Sequence, residues 1–403
     1  MILKEELREI VRTQRKAIME SEANVAREKT AEIDIGIPFA IIISGIRRCG
    51  KSTVIRQLIK KRDNFYYFNF EDPRTASFEV TDFQKLNDVF DEEFGKTDCY
   101  FFDEIQNVQR WELFVRQMLD QKKHFVLTGS NASLLSRELG TRLTGRHLRY
   151  ELFPFSFKEF LTFTKSNPSI RSFEDYFTRG GFPEYLKNKK VEILNELLNN
   201  IIARDIVVRY KLRNSKLLKE LSVYMLTNVG KEFSYNSLKK IFDLGSTNSA
   251  ISFISHFEDS YLIFTIPKFS HSLKSQLRNP RKVYAIDNGL AAANSASFSK
   301  DKGRMLENLV FLHLRKKYKD IYYFKEKYEC DFLVKEKGEI TNAIQVCFDL
   351  NNDNKDREIK GIQEALEKLK LRQGMILTFD QEDELTIENK KIKIMPVWKW
   401  LTN

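Results

Sequence analysis

Two glycines, a lysine and a serine stand at fixed spacing between an apolar run and a helical pattern. Residues 39–44 (FAIIIS) are apolar on both faces, which is typical of a parallel strand that helices cover on each side. The following residues 45–53 read GIRRCGKST and fit the pattern G-x-x-x-x-G-K-[ST]. Apolar residues at 54, 55, 58 and 59 then have helical spacing. This context predicts a phosphate-binding loop at the amino end of a helix.

The residue types in this loop predict how a nucleotide is held. Glycines allow the backbone to approach closely, so that its N–H groups ring a phosphate. Lys51 is expected to place its charge on the β- and γ-phosphates, and the Ser52 hydroxyl is expected to ligate Mg²⁺. The predicted binding set is Gly45, Arg48, Cys49, Gly50, Lys51, Ser52 and Thr53. ATP and Mg²⁺ are the cofactors that this set predicts.

Two carboxylates follow the apolar run 99–102 (CYFF), where a second buried strand is expected to end. Ligands of α/β sheets bind at the carboxyl ends of the strands. Asp103 is therefore expected to join Ser52 in the Mg²⁺ shell, while Glu104 is expected to polarise the attacking water. The pair predicts hydrolysis of the bound nucleotide.

A third apolar run, residues 124–128 (HFVLT), ends in Gly129, Ser130 and Asn131. A polar side chain at this place can sense the γ-phosphate between the two motifs, and both Ser130 and Asn131 are candidates. The downstream sequence has no N-K-x-D guanine motif, because residues 188–191 read NKKV. ATP is therefore favoured over GTP.

The order of the patterns predicts the fold class. Further strands are expected at 65–70 and 148–152, and strands alternate with helices, as in a three-layer αβα sheet of the P-loop NTPase class. We predict an ATPase domain over residues 1–155 and a helical lid or linker over 156–205. A winged-helix domain over 206–290 and a small α/β domain over 300–403 complete the α/β chain.

The motifs resemble a large uncharacterised AAA+ ATPase family of archaea and bacteria, in which a C-terminal domain of unknown function follows the P-loop core. Besides the loop, the matching segments are YFFDEIQ (100–106), LTGSNASLL (127–135), LTGRHLRYELFPFSFKEF (143–160), RGGFPEY (179–185), ARDIVVRY (203–210), KVYAIDNGL (282–290), LENLVFLHL (306–314) and CDFLV (330–334). The resemblance implies ATPase chemistry. It also implies that an arginine, Arg142 or Arg146, reaches the γ-phosphate of a neighbouring copy, and Arg146 matches the family's Gly-Arg pair.

Basic residues are concentrated in the predicted winged helix. Residues 206–290 hold 13 Lys and Arg against 6 Asp and Glu, an excess of seven in a chain of net charge +11. We expect a recognition helix that begins at 246–249 (STNS) and a basic tip containing His271, Lys274, Arg278 and Arg281. Two interpretations stay open: DNA binding, which needs such charge, and docking of a protein partner in signalling, defence or toxin regulation.

The C-terminal segment resembles the restriction-endonuclease-like fold in its order of elements. Glu307 and Asp331 match two positions of the carboxylate set of such nucleases. The third position reads Gln345-Val346-Cys347, which supplies neither a carboxylate nor a lysine. We therefore predict a domain that keeps the fold without cutting nucleic acid.

Composition places limits on the class of protein. The four cysteines, Cys49, Cys99, Cys330 and Cys347, are far apart, which disfavours a disulfide framework or a zinc site. No apolar run approaches the length that spans a bilayer. We expect a cytoplasmic protein without a membrane partner.

Overall fold

The computed structural model describes residues 2–20, 25–130, 143, 145–297 and 301–402. The chain divides into two compact units, Met1–Phe153 and Pro154–Asn403. Described helices of the first unit are α1 (Lys4–Glu20), α2 (Lys51–Ile59), α3 (Asp82–Phe94) and α4 (Trp111–Asp120). Its strands are β1 (Ala40–Ser44), β2 (Tyr66–Asn69), β3 (Cys99–Asp103), β4 (His124–Gly129) and β5 (His147–Glu151).

The five strands form one parallel sheet in the order β2-β3-β4-β1-β5. The residues of β1 and β3 are all buried, as their apolar sequences predict. In the described residues, α1, α3 and α4 pack against one face of the sheet, and the apolar side of α2 covers the other. The predicted three-layer P-loop core is therefore confirmed. Since β4 lies between β1 and β3, its carboxyl end faces both sequence motifs.

Aromatic side chains fill the core of the first unit between the sheet and α3 and α4. The rings of Phe83 and Phe114 stack with centroids 4.6 Å apart, and Phe102 of β3 packs against both. Large rings bury much apolar surface and prefer offset or edge contacts. This packing fixes the strands whose carboxyl ends carry the motif residues.

The second unit begins with helices and a three-stranded sheet. Its helices before residue 300 are α5 (Phe157–Thr164), α6 (Ile170–Arg179), α7 (Pro183–Asn188), α8 (Glu192–Asn200), α9 (Ser215–Thr227), α10 (Tyr235–Ile241), α11 (Thr247–Asp259), α12 (Leu273–Arg278) and α13 (Asn288–Asn294). A π-helix, Ile201–Val208, continues α8 without interruption. Strands β6 (Glu232–Phe233), β7 (Ile263–Pro267) and β8 (Arg281–Ala285) pair antiparallel in the order β6-β8-β7.

The helices and strands from α9 to β8 follow the order that a winged helix has. Ser234 and Ser246 cap α10 and α11, each accepting a hydrogen bond from a backbone N–H three residues on. Both caps agree with the starts that the sequence predicts. A short helix, α12, lies between β7 and β8, where the sequence predicts a polar, basic tip. The winged-helix assignment itself stays a prediction.

The remaining elements form a mixed six-stranded sheet and its helices. Strands β9 (Asp320–Lys325), β10 (Glu329–Glu336), β11 (Glu339–Val346), β12 (Gln373–Thr378), β13 (Asp383–Ile387) and β14 (Lys390–Pro396) lie in the order β13-β14-β12-β11-β10-β9. The helices are α14 (Lys302–Lys317), α15 (Lys355–Lys368) and α16 (Val397–Thr402). The sequence predicts helices over 306–317 and 358–369 and strands over 322–325, 330–334, 343–348 and 375–379. These correspond to α14, α15 and β9 to β12, whereas β13, β14 and α16 are missed. An endonuclease-like assignment of this segment stays a prediction.

Backbone pairing joins the smaller sheet of this unit to the larger one. The backbone of Lys268, just beyond β7, forms a parallel bridge with Tyr323 of β9. The Phe269 N–H donates to the Tyr323 carbonyl at 2.7 Å. The predicted segments 206–290 and 300–403 therefore share backbone pairing.

A buried aspartate explains two of the glycine-containing segments. Asp287 caps α13 and accepts hydrogen bonds from the N–H groups of Gly181 at 2.6 Å and Leu290 at 2.8 Å. Gly180 has φ 73°, and a Cβ there would lie 2.2 Å from the Asp287 carboxylate. Only glycine fits this place without strain. The segments RGGFPEY and KVYAIDNGL are thus two halves of one packed junction.

Within the described residues, no helix combines the length and the apolar character needed to cross a membrane.

Candidate nucleotide-binding site and basic surface

The loop between β1 and α2 has the backbone of a phosphate cradle. Gly50 has φ 103° and directly precedes α2, whose first turn leaves its N–H groups pointing into the loop. A Cβ at Gly45 would lie 2.2 Å from the Leu152 carbonyl oxygen, so this position requires glycine. Arg48 is left-handed at φ 63° with an exposed side chain, whereas Cys49 is buried. The geometry fits a phosphate at the amino end of α2.

Lys51 is buried at the centre of the loop. Its Nζ donates to the carbonyl of Gly45 at 3.2 Å and of Ile46 at 3.4 Å. The same nitrogen lies 3.3 Å from Oε1 of Glu104. The structure thus brings together the lysine and the carboxylate that the sequence predicts, although the two residues are far apart along the chain.

Asp103 ends β3 in a pocket of hydroxyl groups. The Thr128 Oγ1 of β4 donates to its Oδ1, and the Ser52 hydroxyl is close enough to favour the charged form of the carboxylate. Burial, together with the charge of Glu104, raises the pKa of Asp103, while the hydroxyl bonds and Lys51 act in the opposite direction. Ser52 and Asp103 therefore present two hard oxygen donors side by side, which fits Mg²⁺.

Glu104 follows in a left-handed conformation with φ 51°. Its backbone N–H donates to Thr128 Oγ1 at 3.0 Å, so that one threonine hydroxyl bonds to both residues of the carboxylate pair. Gln106 donates to the Glu104 side chain through Nε2. Burial opposes ionisation, but Lys51 and then Gln106 lower the pKa of Glu104 below its usual value. Glu104 is held as a carboxylate.

Sequence reasoning missed three residues that shape this site. Arg27 is buried and donates through Nη1 to the Cys49 carbonyl at 2.6 Å and through Nη2 to the Phe153 carbonyl at 2.7 Å. It supports the loop from outside. Thr128 and Gln106 hold the carboxylates as described above. Thr128 lies at a strand end beside the expected sensor position, which was a usable signal, while nothing in the sequence around Arg27 indicates its role.

The remaining predicted catalytic residues lie apart from the loop or outside the described chain. Arg146 precedes β5, and its carbonyl accepts a hydrogen bond from the N–H of Ala40 at the start of β1. The phosphate-binding loop follows the other end of β1. Its guanidinium pairs with Asp120 at 2.7 Å. Asn131 and Arg142 lie outside the described residues, and Ser130 is buried at the end of β4. Arg146 therefore lies at the end of β1 away from its own loop, and a role at a neighbour's loop stays a prediction.

The basic surface of residues 206–290 differs from its prediction at one residue. Lys274 and Arg278 are exposed on α12. Arg281 instead lies in β8, where its Nε donates to Thr265 Oγ1 at 2.8 Å. Thr247 and Asn248 begin α11 at the surface. Lys274 and Arg278, but not Arg281, are therefore placed as tip cations.

The C-terminal carboxylate positions do come together. The Asp331 N–H donates to Gln345 Oε1 at 3.2 Å, and the Val346 N–H donates to Asp331 Oδ2 at 2.9 Å. Glu307 faces Asp331 from α14 through a shared lysine, Lys282. Among the residues that the structure describes, no group of three or more His, Cys, Asp and Glu side chains is arranged to hold a metal ion.

Family comparisons agree with the geometry of the first unit. A family model described as an AAA domain matches residues 38–161. Two domains of unknown function, DUF8612 and DUF4143, match residues 170–301 and 302–400. Over 391 residues the chain is 38% identical to uncharacterized protein MJ1544 of Methanocaldococcus jannaschii, covering 89% of this chain and 87% of that protein. The chain belongs to this AAA-domain family.

Members of the family occur in bacteria as well. An uncharacterized protein of Haemophilus influenzae is 27% identical over 390 residues, covering 90% of this chain and 94% of that protein. Among solved structures, the Walker-type ATPase PABY2304 of Pyrococcus abyssi is 15% identical and covers 66% of this chain and 93% of its own, with a TM-score of 0.39. The resemblance to an archaeal and bacterial AAA family is confirmed.

Proposed function

We propose that this AAA-family protein is a Mg²⁺-dependent ATPase that acts on or beside DNA. The observation that supports hydrolysis is the convergence of Lys51, Asp103 and Glu104 at one edge of the sheet. Lys51 Nζ stands 3.3 Å from Glu104, and the Ser52 hydroxyl lies beside Asp103. A phosphate charge partner, hard oxygen donors and a water-orienting carboxylate are the parts that phosphoryl transfer requires.

The contacts of Lys51 suggest how ATP would engage. The ammonium now bonds to two loop carbonyls and to Glu104, and it would exchange them for β- and γ-phosphate oxygens. Glu104 would then be released from Lys51 while Gln106 and the backbone bond to Thr128 keep it in place. Its carboxylate would orient the attacking water. Mg²⁺, held by Ser52 and Asp103, would neutralise charge that develops on the phosphates.

Hydrolysis and binding can be tested separately with two variants. Lys51→Ala should abolish hydrolysis and weaken ATP binding, because it removes the only ammonium that the described residues place inside the loop. Glu104→Gln should bind ATP normally and hydrolyse it at least about 100-fold more slowly. Lys60→Ala at the exposed end of α2 is the matched control. Normal turnover by folded Lys51→Ala would reject the ATPase proposal.

The DNA part of the proposal is supported by charge and by the order of elements. Lys and Arg outnumber Asp and Glu by seven in 206–290, and the exposed members of this set, Lys274 and Arg278 among them, suit phosphate contacts. α11 begins with Thr247 and Asn248 at the surface, where a recognition helix meets base edges. Lys274 and Arg278 on α12 project beside the strands of the wing. These residues form the proposed contact surface.

Salt dependence tests this surface. Removing Lys274 and Arg278 together should lower duplex affinity at low salt and reduce the slope of log affinity against log salt by about 1.8, at roughly 0.9 per phosphate contact. Lys187→Ala with Lys190→Ala, two exposed lysines outside the surface, should leave the slope unchanged. Fluorescence anisotropy on a labelled duplex over a salt series gives both values. An unchanged slope in the first double variant would reject this surface.

A protein partner is the second candidate, because α12 also exposes apolar side chains. Leu273 and Leu277 are 68% and 71% exposed and stand one turn apart. Exposed leucines on one helix face suit a protein contact better than a phosphate backbone. If the wild type fails to bind duplex DNA at low salt, this candidate replaces the first.

A further inference from the structure

A lysine side chain lies buried among three carboxylates in the second unit. Lys282, the second residue of β8, is 2% exposed. Its Nζ lies 2.9 Å from Glu307 Oε1, 2.7 Å from Glu329 Oε1 and 3.0 Å from Asp331 Oδ1. Glu307 comes from α14, and the other two come from β10. An ammonium group has three donors, and all three find a carboxylate here.

The carboxylate oxygens are bound on their other sides as well. The Tyr284 hydroxyl donates to Glu307 Oε1 at 2.7 Å, and the Val346 N–H donates to Asp331 Oδ2 at 2.9 Å. Glu329, the most exposed of the three, also pairs with Lys325 at 3.2 Å. A buried charge is tolerated only when it is paired and hydrogen-bonded in this way. Burial alone would lower the pKa of Lys282, but the surrounding carboxylates raise it well above its usual value.

Two of these carboxylates, Glu307 and Asp331, are the residues that match the metal-binding positions of restriction-endonuclease-like nucleases in the sequence. The third position of that comparison, Gln345, is neutral, and its Nε2 is used to donate to Glu358 at 2.6 Å. The positive charge in the cluster comes instead from Lys282, which belongs to the basic segment 206–290 and not to the C-terminal segment. Glu307 and Asp331 are 7% and 6% exposed, while Glu329 lies on the solvent side of the cluster, with its side chain 34% exposed.

We propose that Lys282 is the resident cation of the Glu307–Glu329–Asp331 cluster: its ammonium fills the position that a metal ion would need and fastens β8 to α14 and β10. The carboxylates of the C-terminal segment then bind a lysine of the basic segment instead of a catalytic metal ion. The two segments form a single folded body, in agreement with the shared pairing at Lys268 and Tyr323.

The central test measures the effect of Glu307→Gln on the thermal unfolding midpoint in the wild type and in Lys282→Met. The two effects should have opposite signs. In the wild type, Glu307→Gln weakens the pairing of Lys282 and should lower the thermal unfolding midpoint. In Lys282→Met, three carboxylates face a neutral side chain, and the midpoint of this unit should fall by about 10 °C. Adding Glu307→Gln to Lys282→Met should then raise the midpoint, because it removes one of the repelling charges. A role in packing alone predicts that Glu307→Gln lowers the midpoint in both backgrounds, and that result would overturn the proposal.

Controls and a metal experiment complete the test. Lys325→Met, a half-exposed lysine beside the same cluster, should lower the midpoint by only about 1–2 °C. If Lys282→Met does not fold, Lys282→Gln offers a hydrogen-bonding neutral side chain for the same comparison. Millimolar MnCl₂ should change the midpoints of the wild type and of Glu307→Gln equally, because any Mn²⁺ at Ser52 and Asp103 acts on both. A midpoint that Mn²⁺ raises in the wild type but not in Glu307→Gln would show that a metal, and not Lys282, is the resident cation.

Discussion

Thr128 offers the sharpest single perturbation of the nucleotide site. Its Oγ1 donates to Asp103 and accepts from the Glu104 N–H at 3.0 Å, and the residue is fully buried. Thr128→Val keeps the shape of the side chain and removes only the hydroxyl. Both carboxylate residues then lose their shared partner. Thr128→Ser keeps the hydroxyl and loses one methyl group, so it is the matched control.

The expected loss follows from these two bonds. A hydrogen bond to a charged group contributes about 1.5–3 kcal/mol, and an unsatisfied buried N–H costs about 1–3 kcal/mol. Taking about 3 kcal/mol in total, the unfolding midpoint of a unit of this size should fall by about 9 °C. Misplacement of Asp103 and Glu104 by about 1 Å should also slow ATP hydrolysis by about 100-fold. ATP binding should change little, because the loop that holds the phosphates is intact.

Thermal unfolding, ATP binding and steady-state hydrolysis are measured on the wild type and both variants. The two effects should appear together in Thr128→Val and be small in Thr128→Ser. Equal hydrolysis rates in Thr128→Val and Thr128→Ser would refute the argument that the hydroxyl positions the carboxylates. Equal unfolding midpoints in Thr128→Val and Thr128→Ser would refute the argument that the hydroxyl stabilises the first unit.

Two further predictions concern Arg146 and Asp287. Arg146→Ala should slow hydrolysis but leave ATP binding intact, and mixing it with Lys51→Ala should restore activity in a shared assembly. The control Asp120→Ala breaks the 2.7 Å ion pair but keeps the arginine. Equal hydrolysis rates in Arg146→Ala and Asp120→Ala would favour a purely structural ion pair. Burial raises the pKa of Asp287 from 3.8 to about 6, so its contribution to stability is fully present below pH 3.8 and is lost as the pH rises through 6. The free energy of unfolding of the wild type relative to Asp287→Asn should therefore decrease by about 3 kcal/mol from pH 3.5 to pH 7. Denaturant unfolding of both proteins measures this difference. A difference in stability that is constant with pH would contradict the raised pKa of Asp287.

The first unit was predictable because its signals are local. The loop 45–53, the carboxylate pair and the apolar strands are each contiguous, and a parallel sheet necessarily brings their carboxyl ends to one edge. Arg27 escaped prediction because its partners are backbone carbonyls at Cys49 and Phe153, which no residue pattern specifies. Polar contacts between distant elements depend on packing that the sequence does not display.

The second unit shows the same limit in its charges. Counting Lys and Arg over residues 206–290 treats every cation as surface charge. Lys282 is buried among carboxylates, and Arg281 is bound to Thr265, so both are removed from the exposed set. One signal was available: Lys282 stands beside the apolar residues of the strand pattern KVYAI. A charged residue in a buried strand indicates a partner, although not which one.

The π-helix Ile201–Val208 determines how a change in the number of residues in this segment affects the residues that follow. Ile201, Ile202, Asp205 and Ile206 are buried, while residues 203 and 204 are exposed. Beyond it, Tyr210 stacks on His256 with centroids 3.7 Å apart and donates to Asp259 at 2.8 Å.

A π-helix is an α-helix that has absorbed extra residues in its turns. Deleting one exposed residue, such as Ala203, would return part of the segment to ordinary α-helical turns. Because the wider turns had absorbed that residue, Tyr210 would keep its place against α11. Deletion of residue 203 should therefore be tolerated nearly as well as its substitution, so this stretch is a place where the helix can lose a residue without moving Tyr210.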